Sequence, residues 1–329
     1  MNTVKNGPAA PAKKLRRGIC AAILGVMFGL LLLPGGVTAA PAGEARRLDA
    51  PESVARGDAF VARLSSDAPV DTASFFWRGK RHVVAAREVR EGREGQPVWE
   101  AEILLPAPLD EKAESLGLGA CAGPKCPKAE SSRVVRLFDR KRPVQRLTVD
   151  RKYVAPPPEE AARIKRDRQK VAAALAQPLQ EQLWELPLDR PVPGSVSSLF
   201  GLKRVFNGQP RGMHRGLDLR GAEGSPIHAC ADGVVALVDN LYYSGNAVYI
   251  NHGNGVFSSY LHMSKPLVQP GERVKRGQVI GLVGATGRVT GPHLHLGLVV
   301  QGEAVDPQPL LAPAAQGKQG APAAGGEKK

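Results

Sequence analysis

Alternating hydrophobic and polar positions predict short β-strands over residues 40–154. Residues 99–103 (Trp-Glu-Ala-Glu-Ile) alternate strictly, and residues 60–64 form a second alternating segment. Residues 144–149 have the pattern of a strand that closes the sheet. Successive side chains of a strand point to opposite faces, so such segments bury one face and expose the other. Short strands separated by turns predict a small β-sandwich-like accessory domain here.

A helix is predicted next, within a linker over residues 155–184. Three prolines at 156–158 end the sheet, and two glutamates then stand in the first helical turn, where negative charge is favourable. Ile164, Val171 and Leu175 share one stripe of this helix, with basic residues mostly around it. A rigid spacer is the favoured interpretation, and packing over a groove is the alternative.

Glycines recur between β-branched residues over residues 185–311, as in 233–235 (Gly-Val-Val) and 279–281 (Val-Ile-Gly). This texture predicts a second, compact β domain. Among the 329 residues, Gly (37) and Pro (28) are frequent and aromatic residues make up only 5%, which disfavours a helical bundle. Residues 312–329 lack any apolar period and are predicted to be a disordered tail. The fold class is therefore mainly β with one short connecting α-helix.

The first residues carry the pattern of an export signal, predicted over residues 1–39. A basic stretch ends at Arg17, an apolar run of 16 residues extends over 18–33, and small residues follow, with cleavage expected after Ala39. The run is shorter than the roughly 20 residues that a membrane-spanning helix needs. An uncleaved membrane anchor is the alternative. The pattern predicts an exported protein of the periplasm or cell envelope.

The chain is strongly basic, with a formal net charge of +14. Five basic residues and no acidic residue lie within 1–39, so the remainder still carries +9. A basic surface favours an anionic partner such as nucleic acid, a membrane surface or a cell-wall polymer. Export removes nucleic acid from these partners and favours the cell wall. Contact with a membrane is expected only if the signal is not cleaved.

Three cysteines remain after export. Cys121 and Cys126 could close a small loop disulfide in an oxidising compartment, although their spacing alone does not decide this. Cys230 is predicted to be a small buried hydrophobic residue on a strand.

Six of the seven histidines lie between residues 214 and 295, in two informative clusters. His214 and Asp218 share a face if their segment is extended, and His293 and His295 share a face for the same reason. Two histidines and one carboxylate from two strands can make a zinc site with an open fourth position. A carboxylate ligand also makes iron or manganese conceivable. This ligand pattern indicates a catalytic metal site.

The segment from Phe200 to Leu311 closely resembles the lysostaphin-type, or LytM-domain, zinc endopeptidases that cut peptidoglycan. The resemblance covers about a third of the chain and does not include the accessory domain. It rests on motifs that occur in the expected order: Ser198-Leu199-Phe200-Gly201, His214-Arg215-Gly216-Leu217-Asp218, Ala231-Asp232-Gly233-Val234-Val235, Tyr260-Leu261-His262, Gly277-Gln278-Val279-Ile280-Gly281, residues 287–295 ending in His293-Leu294-His295, and Val305-Asp306-Pro307.

The resemblance implies a role for each matching residue. His214, Asp218 and His295 would bind one Zn²⁺ per catalytic domain, in a glycine-rich antiparallel sheet with an open groove. His262 and His293 would be catalytic. One would accept the proton of the attacking water and the other would stabilise the oxyanion, with the division of roles left open. A histidine has a suitable ordinary pKa for such work at neutral pH.

Asn207 and Arg211 resemble residues that flank the cleft in such proteins, which predicts contacts with substrate. Arg211 could bind a stem-peptide carboxylate in a bidentate contact. Some relatives that cut glycyl-glycine bonds carry a tyrosine shortly before the first zinc histidine. Residues 205–208 (Val-Phe-Asn-Gly) contain no tyrosine, so neither tyrosine assistance nor glycyl-glycine specificity is expected here.

These features together predict an exported zinc-dependent endopeptidase that hydrolyses peptide cross-links of peptidoglycan. The accessory domain and the basic helix would position or restrain the catalytic domain. The alternative is a catalytically silent wall-binding regulator that activates another hydrolase. Such proteins usually lose metal ligands, whereas this sequence retains the complete set of ligands and catalytic histidines.

Overall fold

Strands dominate the computed structural model, which describes residues 46–89 and 98–313. Within these ranges there is one α-helix, α1 (Ala161–Leu175), together with short 3-10 turns. The prediction of a mainly β protein with a connecting helix is confirmed. In this part of the chain, no helix combines the length and the apolar character needed to cross a membrane. The predicted signal over 1–39, and the tail beyond residue 313, lie outside the described residues.

In the described part of the accessory domain, eight strands form one continuous hydrogen-bonded path. They are β1 (Arg46–Asp49), β2 (Ser53–Ala55), β3 (Ala59–Ser66), β4 (Thr72–Trp77), β5 (Lys80–Val89), β6 (Val98–Pro106), β7 (Ser115–Ala122) and β8 (Ser131–Phe138). Their spatial order is β1-β3-β6-β5-β4-β7-β8-β2.

Strand β5 joins the two halves of this path. Its residues 80–85 pair with β4, and its residues 86–89 pair with β6. The two halves enclose a core in which Phe75, Trp77 and Ile103 are almost fully buried. This arrangement agrees with the predicted β-sandwich-like domain, in which each strand buries one face and exposes the other. A disulfide links Cys121, near the end of β7, to Cys126 beyond the strand.

The remaining strands belong to the C-terminal part and to the segment that leads into it. In chain order they are β9 (Val144–Leu147), β10 (Val196–Ser198), β11 (Lys203–Phe206), β12 (Gln209–Met213), β13 (Leu217–Arg220), β14 (Pro226–His228), β15 (Gly233–Leu241), β16 (Gly245–Asn251), β17 (Val256–Met263), β18 (Lys265–Pro266), β19 (Arg273–Val274), β20 (Val279–Leu282), β21 (His293–Val300) and β22 (Glu303–Val305). The main sheet is antiparallel, in the order β10-β13-β21-β17-β16-β15-β19, and β22 pairs with β21.

The sequence pattern predicts that residues 144–149 close the accessory sheet. Strand β9 does not do so. It pairs in parallel with β11, from Val144 opposite Lys203 to Leu147 opposite Phe206. Alternation along a strand identifies the strand but not its partner, because pairing depends on which sheet edge is within reach. The segment after the accessory domain is therefore built into the C-terminal part.

Helix α1 packs on the main sheet and is not a free spacer. Val171 and Leu175 lie against a buried cluster that includes Tyr249 of β16. At the helix surface, Lys170 Nζ lies 2.6 Å from Asp239 Oδ2 of β15. The apolar stripe thus finds its partner within the chain, because an amphipathic helix is stabilised mainly by burying that stripe.

The accessory domain and the main sheet share both core and polar contacts. Leu104 of β6 belongs to the same buried cluster as Leu217 and Leu296 of the main sheet. Arg78 Nη1 donates to Glu303 Oε1 at 2.9 Å. The described residues therefore form a single unit rather than two tethered bodies.

Asp58 lies at this junction and makes stability depend on pH. Its carboxylate is buried (7% exposed) and accepts hydrogen bonds of 2.8 and 2.6 Å from Arg140. Burial raises the pKa of Asp58 to about 6 despite the Arg140 charge, and the nearby Asp306 carboxylate adds to the rise. An acid whose pKa is raised by folding stabilises the protein below its ordinary pKa, and this contribution is lost as pH rises through about 6.

We expect the melting temperature of wild type to rise relative to that of Asp58→Asn as pH falls from about 7.5 to 5. Asparagine cannot ionise, so the variant lacks this proton uptake. Calorimetry of both proteins across the range measures the difference. Asp110→Asn, at an exposed position, controls for removing one negative charge. A wild-type advantage that is constant or shrinks on acidification would contradict the prediction.

Candidate active site

Strands β13 and β21 bring the two histidine clusters together. They pair antiparallel, with Asp218 opposite His295 and Arg220 opposite His293. His214 precedes β13, and its backbone N–H and C=O bond to Leu202 and Gly201. The register places Asp218 and His295 side by side in the sheet, as expected for directly paired residues.

Three ligand-type atoms converge at this point. His214 Nε2 and His295 Nδ1 lie 3.0 and 2.7 Å from Asp218 Oδ1, and 3.0 Å from each other. Ligand atoms about 2 Å from a tetrahedral metal ion lie roughly 3.3 Å apart. The spacing is therefore close to that of a three-ligand metal centre, and His214, Asp218 and His295 form a group able to hold a metal ion.

Neighbouring groups orient these three side chains. His214 Nδ1–H donates to the Leu199 carbonyl at 2.7 Å, which turns the Nε2 side of the ring toward Asp218. Arg204 Nη2 donates to Asp218 Oδ2 at 2.7 Å, so the other carboxylate oxygen faces the histidines. Burial alone would raise the pKa of Asp218. Hydrogen bonds from His214 and His295 outweigh it and hold that pKa well below its ordinary value.

Gly216 provides the space that the His295 ring occupies. A Cβ atom at residue 216 would lie 2.4 Å from His295 Nε2 and 2.6 Å from the Leu296 carbonyl oxygen. The sequence places this glycine between His214 and Asp218, but its role depends on β21, a strand far along the chain. Neither Gly216 nor Arg204 was identified as part of the site from sequence, although Gly216 stands inside the first histidine motif.

His262 and His293 lie beside the metal-ligand group, with ring centroids 5.1 Å apart. His262 Nδ1–H donates to the Thr286 carbonyl at 2.9 Å, and His293 Nδ1–H donates to the Gly291 carbonyl at 2.8 Å. Among the described residues, neither Nε2 atom has a hydrogen-bond partner. Burial, with repulsion from His295 and His293, lowers the pKa of His262 to about 3. His262 is therefore a neutral imidazole with a free lone pair.

A cavity of about 350 Å³ adjoins these histidines. Its lining includes His262, His293 and Asp218, together with Gln145 and Leu147 of β9. The groove expected from sequence is thus walled in part by the segment that leaves the accessory domain. This wall could not be predicted, because it depends on the unexpected pairing of β9.

Asn207 and Arg211 do not line this cavity. The Asn207 side-chain amide makes two 2.9 Å hydrogen bonds with the backbone of Val149, one in each direction. Arg211 Nη2 donates to the Val154 carbonyl. Both side chains hold the segment that follows β9, and their predicted contact with substrate stays a prediction.

Comparison with known proteins places the centre in context. Residues 212–307 match the model described as Peptidase family M23. Peptidoglycan DD-endopeptidases ShyC and ShyA of Vibrio cholerae are 46% and 47% identical over 127 and 112 residues, which cover 38% and 34% of this chain. DD-carboxypeptidase/endopeptidase Mpg of Neisseria meningitidis is 40% identical over 118 residues, covering 36% of this chain.

The matched segments span 29%, 26% and 27% of those three relatives, so the similarity concerns a part of each. One crystal structure, of a candidate peptidase M23 from Pseudomonas aeruginosa, is similar over a greater length. It covers 77% of this chain and 92% of its own, with 28% identity and a TM-score of 0.54. Structural similarity therefore extends beyond residues 212–307.

We expect Gly216→Ala to weaken zinc binding by about tenfold or more. Changes that disturb the orientation of a metal-binding side chain typically lower metal affinity by that factor. The added methyl group would push the His295 ring away from Asp218. Competition with a chelating dye measures the zinc dissociation constant. Gly117→Ala is a matched control, because a Cβ atom there meets nothing within 4 Å. Equal zinc affinity of Gly216→Ala and wild type would show that His295 does not need this space.

Proposed function

Because residues 212–307 constitute a peptidase family M23 domain, we propose that this protein is a zinc-dependent endopeptidase that hydrolyses peptide cross-links of peptidoglycan in the cell envelope. The observation that carries the proposal is the convergence of His214, Asp218 and His295 next to His262 and His293, whose Nε2 atoms have no hydrogen-bond partner among the described residues. A metal centre and two proton-transfer groups at one cavity are what metal-assisted hydrolysis requires.

The donor set fits zinc. Two imidazole nitrogens and one carboxylate oxygen are the usual protein ligands of catalytic zinc sites, which keep a fourth position for water or substrate. His214, Asp218 and His295 would hold the ion, and Arg204 would neutralise the carboxylate oxygen that faces away from it. When bound, the zinc ion would polarise the scissile carbonyl group and acidify the attacking water.

The two remaining histidines would manage the proton and the developing charge. Each is oriented by a backbone carbonyl at Nδ1, so each presents Nε2 to the cavity side of the centre. One Nε2 atom would accept the proton of the attacking water. That histidine would then pass the proton to the leaving amine, whose bond to the carbonyl carbon breaks. The other histidine would stabilise the oxyanion by a hydrogen bond when its own Nε2 carries a proton. No Glu of an H-E-x-x-H motif is present to serve as the base.

The names of the relatives support peptidoglycan as the substrate class. ShyC and ShyA are peptidoglycan DD-endopeptidases, and Mpg combines DD-carboxypeptidase with endopeptidase activity. The export pattern over residues 1–39 and the basic net charge agree with action in the cell envelope. A protein that acts in this compartment would not have nucleic acid as a partner.

We expect residues 40–329, loaded with zinc, to release new peptide termini from purified cross-linked peptidoglycan. His293→Ala should lower the rate by roughly 10²- to 10⁴-fold, the usual contribution of a general acid or base, while still binding zinc. Mass spectrometry of the released fragments identifies the bond. His228→Ala is the control, because His228 contacts the Pro191 carbonyl and lies away from the cavity.

Two results would contradict this proposal. A zinc-loaded wild type that releases no termini would favour the silent wall-binding regulator. Equal rates for wild type and His293→Ala would remove His293 from the chemistry while leaving the metal centre in place.

A further inference from the structure

Arg288 lines the cavity beside the catalytic histidines, but it belongs to neither the metal centre nor the proton-transfer pair. It lies in the loop between β20 and β21. Its guanidinium carbon is 4.7 Å from the ring centroid of Phe206 and 4.8 Å from that of Tyr243. Contact with two aromatic rings fixes the plane of the guanidinium group without using its N–H donors.

The donors of Arg288 have no acceptor within the described part of the chain. No carboxylate, hydroxyl or carbonyl oxygen there accepts a hydrogen bond from its guanidinium group. Arg204, which lines the same cavity, differs: its guanidinium donates to Asp218, Ser198 and Gln145. The Arg288 side chain is only half-buried, so its N–H groups can be reached from the cavity. A partly desolvated cation without an acceptor favours an anionic ligand.

The charge of the cavity points the same way. Its lining includes Arg204, Arg220 and Arg288 but a single carboxylate, Asp218. The Asp218 oxygens are already engaged by the two ligand histidines and by Arg204. Among the described residues, Arg220 and Arg288 therefore remain as cations at the cavity without a carboxylate partner, and Arg288 is the one held between two aromatic rings.

The loop that carries Arg288 is rigidly seated. The Arg288 N–H donates to the Tyr243 carbonyl at 2.9 Å. Thr286 Oγ1 accepts from Asn246 N–H at 3.0 Å and donates to the Met263 carbonyl at 2.8 Å. Gly287 has a φ of +76°, and a Cβ atom there would lie 2.4 Å from the Gly245 nitrogen. The loop thus holds the stem of Arg288 in place before any ligand arrives.

We propose that Arg288 is a substrate-binding residue that receives a free carboxylate of the peptide, on the residue next to the scissile bond. This inference rests on the proposed function. The planar fork of a fixed guanidinium group matches a carboxylate in a bidentate contact, which an amide cannot reproduce. Arg288 would select peptides by this charge and place the adjacent carbonyl group near His262 and His293.

Binding of acetyl-D-Ala-D-Ala, which has one carboxylate, and of its C-terminal amide tests the proposal. Zinc-loaded protein with His293→Ala, which suppresses hydrolysis, is titrated with each peptide by NMR. We expect the acid to bind about tenfold or more tightly than the amide, as a charged hydrogen-bond pair implies. Adding Arg288→Met should abolish this preference, and Arg288→Lys should retain only part of it.

Arg273→Met is the matched control for loss of one positive charge. Arg273 pairs with Glu181 on the surface and does not line the cavity, so the preference for the acid should persist. Unchanged amide affinity in the Arg288 variants would show that their fold is intact.

Equal binding of acid and amide by the His293→Ala protein would overturn the inference. So would a preference that survives Arg288→Met, since the carboxylate would then be bound by the metal or by Arg220. Both results come from binding alone. Failure of the proposed function is a separate result, the absence of peptidoglycan cleavage by wild type.

Discussion

The antiparallel pairing of β13 with β21 is the constraint on which the rest of the site depends. It sets Asp218 opposite His295 and, two residues along, Arg220 opposite His293. A slip of one residue would exchange the faces of the strand and separate the carboxylate from its histidines. The buried leucines that alternate with these polar residues on the same strands, Leu217, Leu219, Leu294 and Leu296, hold the register through the core. Packing and chemistry are thus specified by the same few residues.

The negative charge of the buried Asp218 carboxylate requires a positive partner. That partner, Arg204, lies on a strand that is not next to β13 in the main sheet. Arg204 of β11 bonds to Asp218, and Gln145 of β9 accepts hydrogen bonds from both Arg204 and Ser198. Because β9 also pairs with β11, the segment leaving the accessory domain joins the network that supports the Asp218 carboxylate. The accessory domain is therefore connected to the candidate active site by hydrogen bonds as well as by a shared core.

The structure shows which residue takes the place of the tyrosine that some relatives carry before the first ligand histidine. Phe206 stands in that stretch, is buried, and lies against the guanidinium groups of Arg204 and Arg288. A phenyl ring there can orient two cations but cannot donate a hydrogen bond to an oxyanion. In the proposed mechanism, oxyanion stabilisation would fall to the histidines and the metal, and Arg288 would bind the carboxylate of the substrate.

The local sequence pattern was sufficient to predict strands and a helix. It was also sufficient to identify which side chains could bind a metal ion. Alternation along residues 99–103 and the apolar stripe of residues 164–175 predicted a strand and a helix where they occur. The spacing of His214 with Asp218 and of His293 with His295 indicated a metal centre, because ligand type and side-chain direction are properties of short segments.

Tertiary structure alone decided which elements meet. Strand β9 pairs with β11 rather than with the accessory sheet, and helix α1 covers the main sheet. Asn207 and Arg211 bond to the backbone of Val149 and Val154 rather than lining the cavity. The same holds for Gly216 under His295 and for Arg288 between its aromatic neighbours. Sequence by itself determined the strands, the helix and the reactive groups of this protein, since those are written in local periodicity and residue type. The walls of its cavity and the partners of its arginines depend on contacts between distant segments, which only the packed chain brings together.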